Sequence, residues 1–428
     1  MVQVLPFRGL RYAPDRSSAT AFAPPYDVID AAQRQQFLAS DPHNIVHIDL
    51  GPGQDPAWYA EAVRIRDCWL AEGVLQRDAA PAFYCYQQHF VIDGAPRVRT
   101  GLLGAVRLAE WGQGIHRHER TRVGPRQDRL NLMRALRAQT SPVFGLYSDP
   151  ADELGRWLTP PAQPAVDVTD PDGVRHLFWL CTDRAALQAI TTALATRDVV
   201  IADGHHRYET ALTYRAERRA AEGDLADMRP YDYVLMYLTA AESAGLQVLA
   251  THRVARAQIE PNALLQALQA DFVITPQPEQ TRLMDAIADA RPDEVVFGLC
   301  LEEGSYVLRL RGLDRALRAA GDQPAELATL DVNVLQNLIL APRLGISAEA
   351  LATGEQVSYT IHEDQACALV RFGKAQAAFI LNPTRIEQVW RAALKGHTMP
   401  QKSTYFWPKL LTGLVIHPLD GSLPEETV

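Results

Sequence analysis

The sequence is poor in the residues that mark several classes of protein. It has five cysteines in 428 residues, and none of them forms a Cys-x-x-Cys pair. Scattered cysteines of this kind are typical of a reducing compartment and argue against a disulfide framework or a cysteine-based zinc site. No stretch approaches the roughly 18 apolar residues of a membrane span, and the first residues lack the pattern of a signal peptide. We therefore expect a cytoplasmic protein without a membrane partner.

Positive charge is also scarce. Lysine and arginine number 42 against 51 aspartates and glutamates, which gives a formal net charge of −9. Non-specific nucleic-acid binding requires a basic face, so this balance argues against a nucleic-acid partner and favours a small-molecule substrate. The hydrophobic fraction of 47% is that of a globular chain, and its length suggests two or three domains. Whether the protein forms a homo-oligomer is left open.

The apolar patterns predict an α+β fold with mixed sheets, hairpins and flanking helices. Residues 82–92 and 97–108 predict a hairpin that turns at Asp93-Gly94. Short apolar runs at 45–50 and 365–371 predict strands, and residues 128–139 predict a helix. These elements alternate too irregularly for a purely parallel sheet.

We divide the chain into three parts. Residues 1–254 form a catalytic-type region that carries most of the polar motifs. Residues 255–350 have ordinary polarity and form a support or cap module. Residues 351–428 form a C-terminal segment that is expected to return to the site.

The most informative segment is Asp-Gly-His-His-Arg at residues 203–207. A buried strand at 199–202 ends at Asp203 and Gly204, and a helical pattern follows. We expect Asp203 to cap this helix and Gly204 to let a ligand approach the backbone. The side chains predicted for its first turn are His205, His206 and Arg207. A helix N-terminus attracts anions, so this turn predicts a phosphate or carboxylate site.

The second candidate is the loop at residues 116–129. It holds five arginines and two histidines against two acids. A charge run is usually a solvated surface loop, but Gly124-Pro125 and the helix that follows favour a fixed one. Glu119 lies among cations that should keep it ionised and available as a base, whereas we expect Asp128 to cap its helix. The predicted phosphate ligands of this loop are His118, Arg120, Arg122 and Arg126.

The third candidate is the Met-Pro-Gln-Lys-Ser-Thr loop at residues 399–404. It offers a cation and two hydroxyls that suit phosphate oxygens, namely Lys402, Ser403 and Thr404. It is not a Walker A loop, because the glycines of that motif are absent. The aromatic residues 405–407 either anchor the segment in the core or stack on a base, and both alternatives stay open.

Metal binding is also left open. His205 and His206 are adjacent, so their side chains diverge by about 100° on a helix and are poorly placed to bind one ion together. Zinc would need further ligands, such as the histidines of the 116–129 loop. Mg²⁺ held by Asp203 or Glu119 together with phosphate oxygens fits the preference of a hard cation better.

Six ordered motifs resemble the DUF1015 family, nearly from end to end. They are Ala23–Ile29; Asn44 with His47–Asp49; His118–Thr121 with Asp128–Leu130; Ser141–Tyr147; Asp203–Tyr208; and Met399–Phe406 with Pro408-Lys409. The 203–207 turn is also similar to the nucleotide-contacting Gly-x-x-Arg turn of the ParB/sulfiredoxin superfamily. That superfamily includes partition proteins that bind CTP, sulfiredoxin, and free-serine kinases that use ADP or pyrophosphate.

The resemblance implies a ParB/sulfiredoxin-like element around the 203–207 turn, with a nucleotide or pyrophosphate as phosphoryl donor. Genes of the DUF1015 family often neighbour serine-biosynthesis genes, which implies a role linked to serine or phosphoserine. One departure is clear. In partition proteins the Asn/Arg-rich box follows the Gly-x-x-Arg turn, whereas here the His-Glu-Arg-Thr motif precedes it, and the helix-turn-helix half has no counterpart.

The leading hypothesis is a phosphotransferase or phosphate-ester enzyme that acts on a small polar metabolite. Such chemistry requires positioning and cationic stabilisation of a phosphoryl group. Glu119 would be the base, and His205 or His206 a general acid, a phosphate ligand or a phosphorylated nucleophile. A metal-dependent hydrolase or lyase acting on an amino or hydroxy acid is one alternative. A nucleotide-binding, ParB-like regulatory protein without turnover is another.

Overall fold

The chain divides into two compact units. The first comprises residues 1–117, 121–247 and 408–428, and the second comprises 118–120 and 248–407. The computed structural model describes residues 2–119, 124–223, 227–278, 282–291, 293–347, 350–351, 354 and 356–421, and for 124–126 it describes the backbone alone. The predicted division at residues 254 and 350 stays a prediction about domain organisation.

Strands occur along the whole described chain. In chain order they are β1 (Val4–Leu5), β2 (Leu10–Tyr12), β3 (Leu75–Arg77), β4 (Phe83–Ile92), β5 (Ala95–Arg107), β6 (Ile115–His116), β7 (Ala138–Gln139), β8 (Val143–Tyr147), β9 (Val166–Thr169), β10 (Arg175–Cys181), β11 (Val199–Asp203), β12 (Tyr233–Ala240), β13 (Gln247–Leu249), β14 (His252–Ala255), β15 (Phe272–Gln277), β16 (Val296–Leu301), β17 (Gly304–Leu310), β18 (Val357–Thr360), β19 (Ala377–Ile380), β20 (Tyr405–Trp407) and β21 (His417–Pro418).

Helices alternate with these strands. They are α1 (Ala31–Ser40), α2 (Val46–Asp49), α3 (Pro56–Ala71), α4 (Gly124–Leu136), α5 (Arg184–Ala195), α6 (His205–Glu222), α7 (Pro261–Leu268), α8 (Leu283–Ile287), α9 (Leu313–Ala320), α10 (Ala325–Ala328), α11 (Asp331–Leu335), α12 (Ala341–Leu344), α13 (Glu363–Arg371) and α14 (Ile386–Leu394). A π-helical turn, Gln336–Leu340, joins α11 to α12.

A mixed sheet organises the first unit. Its strand order is β6-β11-β8-β12-β5-β4-β10-β9, and β1 also pairs with β5. The β11–β6 and β12–β8 pairs are parallel, whereas the other pairs are antiparallel. A mixed sheet with flanking helices confirms the predicted α+β class.

The predicted hairpin is confirmed at β4 and β5. Ile92 pairs with Ala95 across Asp93-Gly94, and both turn residues have positive φ, 49° and 74°. A two-residue turn with positive φ at both positions matches the twist of the flanking strands, which is why Asp-Gly favours it. Toward the middle of the sheet both faces of these strands are buried, over residues 83–86 of β4 and 101–106 of β5.

A hydrophobic core of the first unit lies between its sheet and the helices α4, α5 and α6. Val199 and Ile201 of β11 pack in one cluster with Tyr208 and Tyr214 of α6. Ile190 of α5 joins the same cluster, and its side chain is fully buried. This packing holds the end of β11 and the start of α6 in place, so the Asp203–Arg207 turn is supported on both sides.

The second unit has an antiparallel sheet of its own. Its strand order is β15-β17-β16-β19-β14-β18, and all of these pairs are antiparallel. Leu283 and Ile287 of α8 and Ala366 and Val370 of α13 bury their side chains against it. The unit therefore has its own hydrophobic core.

Two predicted strands are wrong. Residues 45–50 contain the helix Val46–Asp49, because Asn44 bends the chain and its side-chain oxygen accepts a hydrogen bond from the Val46 amide at 2.9 Å. Residues 365–371 belong to α13, where Ala366 and Val370 lie one helical turn apart and are buried. Short apolar runs fit either element, and the tertiary surroundings decide between them.

The helix predicted at 128–139 begins four residues earlier, at Gly124, and ends at Leu136. Ala138 and Gln139 instead form β7, which pairs with β21. Among the described helices, none combines the length and the apolar character that a membrane crossing requires.

Candidate functional site

The Asp203–Arg207 turn joins a buried strand to a long helix. Gly204, with φ of 87°, occupies the N-cap position of α6, so the prediction that Asp203 caps this helix is wrong. A β-carbon at Gly204 would lie 2.9 Å from Nε of Arg207. Glycine is therefore required both by its left-handed backbone and by the guanidinium that lies against it.

Asp203 instead binds two cations. One carboxylate oxygen accepts a hydrogen bond from the Gly204 amide at 2.8 Å. The other accepts one from Nζ of Lys409 at 3.0 Å and lies 3.8 Å from the Arg207 guanidinium. Burial alone would raise the pKa of the Asp203 carboxyl, but Lys409 and Arg207 together hold that pKa well below its usual value. Asp203 is therefore ionised at neutral pH.

Arg207 is 8% exposed and also contacts the chain just before β8. It donates hydrogen bonds to Oγ of Ser141, at 3.0 Å, and to the Pro142 carbonyl. The Ser141 hydroxyl lies 3.2 Å from that of Thr412. These contacts fix the guanidinium plane at the start of α6.

Buried polar side chains of the sheet hold Lys409 in position. Arg99 is fully buried on β5 and donates to the Pro408 carbonyl at 2.5 Å. Gln88 of β4 donates to the Lys409 carbonyl at 2.9 Å. The Arg99 guanidinium lies 4.8 Å from the centroid of the Phe144 ring, which provides a cation–π contact. The backbone around Lys409 is thus anchored on both sides.

A second buried arginine lies in the same unit. Arg129, 7% exposed, binds Asp128 at 2.6 Å and the Asp49 carbonyl at 2.6 Å, and it stacks 4.4 Å from the ring centroid of Tyr26. Asp49 in turn accepts a hydrogen bond from Thr140 at 2.5 Å. Burial and Asp27 raise the pKa of the Tyr26 phenol to about 12, although Arg207 and Arg129 oppose this shift.

Arg129 and Arg207 open onto one cavity of about 40 Å³. Its polar lining also includes Tyr26, Asp49, Thr140, Ser141 and Thr210. A volume of this size holds about one to three waters. The wall of the cavity is mostly apolar, with Leu132, Met133 and Val143 among its residues, and the two arginines and several hydroxyl-bearing residues complete it.

The histidines of the turn occupy the predicted first turn of α6. His205 is buried, with 7% exposure, and His206 is half-buried. The carbonyl of His206 accepts a side-chain hydrogen bond from the Thr210 hydroxyl, one turn later in the helix, at 2.7 Å. Their predicted roles as acid, ligand or nucleophile stay predictions.

The second unit brings two other predicted segments together. The Met399 amide donates to the His118 carbonyl at 2.7 Å, and Glu119 and Met399 form a parallel β-bridge. The fully buried His118 ring has Nε2 3.0 Å from the Thr404 hydroxyl. The predicted base and the 399–404 loop are therefore neighbours.

Hydrogen bonds within the second unit hold the 399–404 loop in place. Lys402 is exposed, has φ of 58°, and its carbonyl accepts a hydrogen bond from Arg253 at 3.1 Å. Ser403 is buried and its hydroxyl donates to the Pro400 carbonyl at 2.6 Å. The Lys402 side chain is thus presented by a closed turn, and its predicted phosphate contact stays a prediction.

Some predicted residues lie outside the described part of the chain. They are Arg120, Arg122 and the side chain of Arg126. Asp128 is described, and the prediction that it caps a helix is wrong. It lies inside α4, where it accepts hydrogen bonds from Tyr59, at 2.8 Å, and from Arg129.

Across the described residues, no group of three or more His, Cys, Asp or Glu side chains is arranged to hold a metal ion. The carboxylate of Asp203, a predicted Mg²⁺ ligand, is occupied by Lys409 and the Gly204 amide. The proposal of a Mg²⁺ ion at Asp203 would require these contacts to rearrange.

Sequence reasoning missed several residues of the first-unit site. They are Asp49, Arg129, Ser141 and Lys409, all of which fall inside motifs that carry the family resemblance. Arg129 ends the 116–129 candidate loop but was not among its predicted ligands, and the other three stand in no local pattern that predicts chemistry. Lys409 meets Asp203 across 206 positions, so the motif order was the only signal that could have linked them.

Solved structures similar to this chain share little sequence with it. A conserved hypothetical protein from Pyrococcus furiosus has 12% identity and a TM-score of 0.35, and the match covers 73% of this chain and 95% of that one. A free serine kinase in complex with AMP has 12% identity and a TM-score of 0.36, covering 73% and 92%. C-terminally truncated SbnI from Staphylococcus aureus has 12% identity and a TM-score of 0.35, covering 73% and 87%. At such scores the similarity carries no weight for function, and the ParB/sulfiredoxin-like element stays a prediction.

No curated protein matches the chain. The family model described as "Protein of unknown function (DUF1015)" matches residues 4–333. That span includes five of the six motifs identified in the sequence, from Ala23–Ile29 to Asp203–Tyr208. The chain therefore belongs to the DUF1015 family.

Proposed function

We propose that this protein is a phosphotransferase or phosphate-ester enzyme that acts on a small polar metabolite. The observation that carries the proposal is the sharing of one carboxylate, Asp203, by Lys409 and Arg207 at the N-terminus of an 18-residue helix. Two cations against one anion leave a local surplus of one positive charge. The helix N-terminus adds to it, so the turn favours an anion.

The burial of these groups supports phosphate over a weakly held counter-ion. Arg207 is 8% exposed and its guanidinium is oriented by Ser141 and Pro142. An arginine that is already oriented loses little freedom when it binds an oxyanion and can form paired hydrogen bonds with it. Phosphoryl transfer depends mainly on such positioning and charge stabilisation.

The proposed reacting groups are those that the sequence motifs predict. Glu119 is the proposed base for a substrate hydroxyl, and His205 or His206 the proposed acid or phosphate ligand. The phosphoryl donor would be a nucleotide or pyrophosphate, with Mg²⁺ as a candidate counter-ion, and serine or phosphoserine is the first substrate to try. Lys402 and Thr404, beside the Glu119 segment in the second unit, are proposed phosphate contacts.

The anion site is tested by pyrophosphate binding. Isothermal titration should show binding to the wild type, and Lys409→Met should weaken it at least tenfold because the turn loses its surplus charge. Lys409→Arg should retain most of the affinity. Lys395→Met is the matched control, since Lys395 is an exposed lysine paired with Glu326 and should leave binding unchanged. Equal affinity in wild type and Lys409→Met would refute the site.

The proposed base is tested by turnover. Glu119→Gln should lower phosphoryl transfer by about 10²–10⁴-fold and leave pyrophosphate binding largely intact. Glu387→Gln, an exposed glutamate on α14, serves as the control. Equal turnover in Glu119→Gln would reject Glu119 as base. Nucleotide binding without turnover in the wild type would support the regulatory alternative, and a stoichiometric metal with activity on an amino or hydroxy acid would support the hydrolase or lyase.

A further inference from the structure

A separate cleft of about 850 Å³ lies wholly within the second unit. Its walls come from the 320–324 turn, the helical segment that contains the π turn, and the 396–401 loop. The volume falls within the roughly 300–1,000 Å³ typical of small-molecule sites. None of the residues that line this cleft belongs to the Asp203–Arg207 turn.

The π turn leaves one atom of each of two side-chain amides without a partner among the described residues. Oε1 of Gln336 and Nδ2 of Asn337 are buried and have no hydrogen-bond partner among the described residues. Nε2 of Gln336 donates to the Ile346 carbonyl at 3.0 Å. This bond fixes the orientation of the Gln336 amide, so its other atom is an acceptor. A hydrogen-bond acceptor and a donor thus stand on adjacent residues.

A buried acceptor and a buried donor without partners are unfavourable unless a ligand or water binds to them. Buried polar groups are almost always hydrogen-bonded, and a lone buried amide loses its contacts with water without replacement. π turns are rare and occur often at functional sites, because they displace side chains from the regular helical positions. Both residues line the cleft, so a ligand there is the natural partner of the two amides.

The lining of the cleft restricts the chemistry of this ligand. Among the described residues that line it there is no lysine or arginine, and the titratable groups are Asp322, His397 and Tyr359. Nδ1 of His397 lies 3.2 Å from a carboxylate oxygen of Glu326. Leu327, Met399 and Tyr359 contribute apolar or aromatic surface. The cleft therefore suits a flat, uncharged ring with a donor beside an acceptor, and does not suit a phosphate.

We propose that this cleft binds a nucleobase that carries an amino group next to a ring nitrogen, as adenine does. Gln336 accepts from the amino group and Asn337 donates to a ring nitrogen, the kinds of group that amide side chains read on adenine. Apolar side chains cover the faces of the ring. The 396–401 wall continues directly into Lys402, the predicted phosphate contact, so the inference rests on the proposed function and identifies its donor as a nucleotide.

The experiment measures adenosine, which has no phosphate, by isothermal titration and saturation-transfer NMR. Adenosine should bind the wild type, and purine riboside, which lacks the amino group, should bind at least tenfold more weakly because a buried acceptor is left unpaired. Asn337→Leu should weaken adenosine binding at least tenfold and leave pyrophosphate binding unchanged. Asn262→Leu, an exposed asparagine on α7, is the matched control and should bind like the wild type.

Asn337→Asp provides the same test if the leucine variant does not fold, since it removes the donor while retaining size and polarity. Absence of adenosine binding, or unchanged binding in both Asn337 variants, overturns the cleft assignment. Pyrophosphate binding at the Lys409 site would then still support the proposed function. Adenosine binding that depends on Asn337, without binding or transfer of any phosphate ligand, supports the cleft and refutes the phosphoryl-transfer proposal.

Discussion

At the scale of single residues, Asp203 is the centre of the first-unit site. Its carboxylate lies at the end of a buried strand and binds Lys409 at 3.0 Å. Burying the two charges costs desolvation free energy. Their electrostatic attraction offsets this cost only while both partners are present. A variant that removes one partner leaves the other partly buried without compensation, so its effect on stability should exceed that of a surface pair.

Lys409→Met should lower the free energy of unfolding at pH 7 by about 1–3 kcal/mol, since the pair is mostly but not fully buried. The pKa of Asp203 is depressed in the folded state. Its stabilisation is therefore present above the unfolded pKa of about 3.9 and is lost as the pH falls below it. Urea unfolding from pH 7 to pH 3 should show the wild type losing more stability than Lys409→Met. An equal loss of stability in the wild type and in Lys409→Met would contradict the proposed stabilisation of Asp203 by Lys409.

At the scale of elements, the two ends of α6 show which glycine serves the site. Gly204 before the helix has φ of 87° and lies against Arg207. Gly223 after the helix has φ of 80°, and among the described residues an added β-carbon there would have nothing within 4 Å. Both positions disfavour a side chain through the backbone, but only Gly204 would displace a neighbour.

Gly204→Ala and Gly223→Ala should therefore both destabilise the protein by about 1–3 kcal/mol through backbone strain. Only Gly204→Ala should also reduce pyrophosphate affinity, because the new methyl group moves the Arg207 guanidinium. Thermal unfolding and isothermal titration of the two variants separate these effects. Equal pyrophosphate affinity in both would show that the position of Arg207 does not govern binding.

At the scale of the whole molecule, each unit buries a histidine in its neutral form. Burial lowers the pKa of His417 in the first unit to about 4, and burial lowers the pKa of His252 in the second unit to about 4. The second unit also contains Asp331, whose pKa burial raises to about 7, although Arg385 and Arg253 oppose this. The two units should consequently respond differently to acid.

Between pH 7 and pH 5 an unfolded histidine takes up a proton that the folded His417 excludes, so the first unit should lose about 2 kcal/mol. In the second unit the same loss at His252 is offset, because folded Asp331 takes up a proton that the unfolded chain does not. Hydrogen exchange by mass spectrometry, corrected for the intrinsic effect of pH, should report each unit separately.

His417→Gln should remove the acid sensitivity of the first unit, and Asp331→Asn should create it in the second. An equal loss of stability in both wild-type units would contradict the opposing pKa shifts of His252 and Asp331.

Local patterns predicted a large part of this fold. The Asp93-Gly94 hairpin and the strand–glycine–helix passage at 199–207 follow from residues that are neighbours in the chain. The failures occurred where the local signal fits two structures, as at 45–50 and 365–371. There Asn44 and the packing of α13 select the helix.

The candidate site likewise has a part that the sequence predicted and a part that it did not. The sequence predicted a cationic helix N-terminus at 204–207, because glycine, histidine and arginine there have a local physical meaning. It did not predict that Lys409 would bind Asp203 or that Arg129 and Arg207 would line one cavity. These side chains lie far apart in the chain and are brought together by separate elements of the first unit.

The sequence by itself thus determined the α+β class, the family and the glycine turn, since these depend on periodicity, motif order and backbone preference. Only the tertiary structure decided which charges meet. It assigned Asp203 to Lys409 rather than to a helix cap, and it left Oε1 of Gln336 and Nδ2 of Asn337 without hydrogen-bond partners among the described residues, beside a cleft. The physical reason is that electrostatic and hydrogen-bond energies depend on distance in space, which the order of residues does not record.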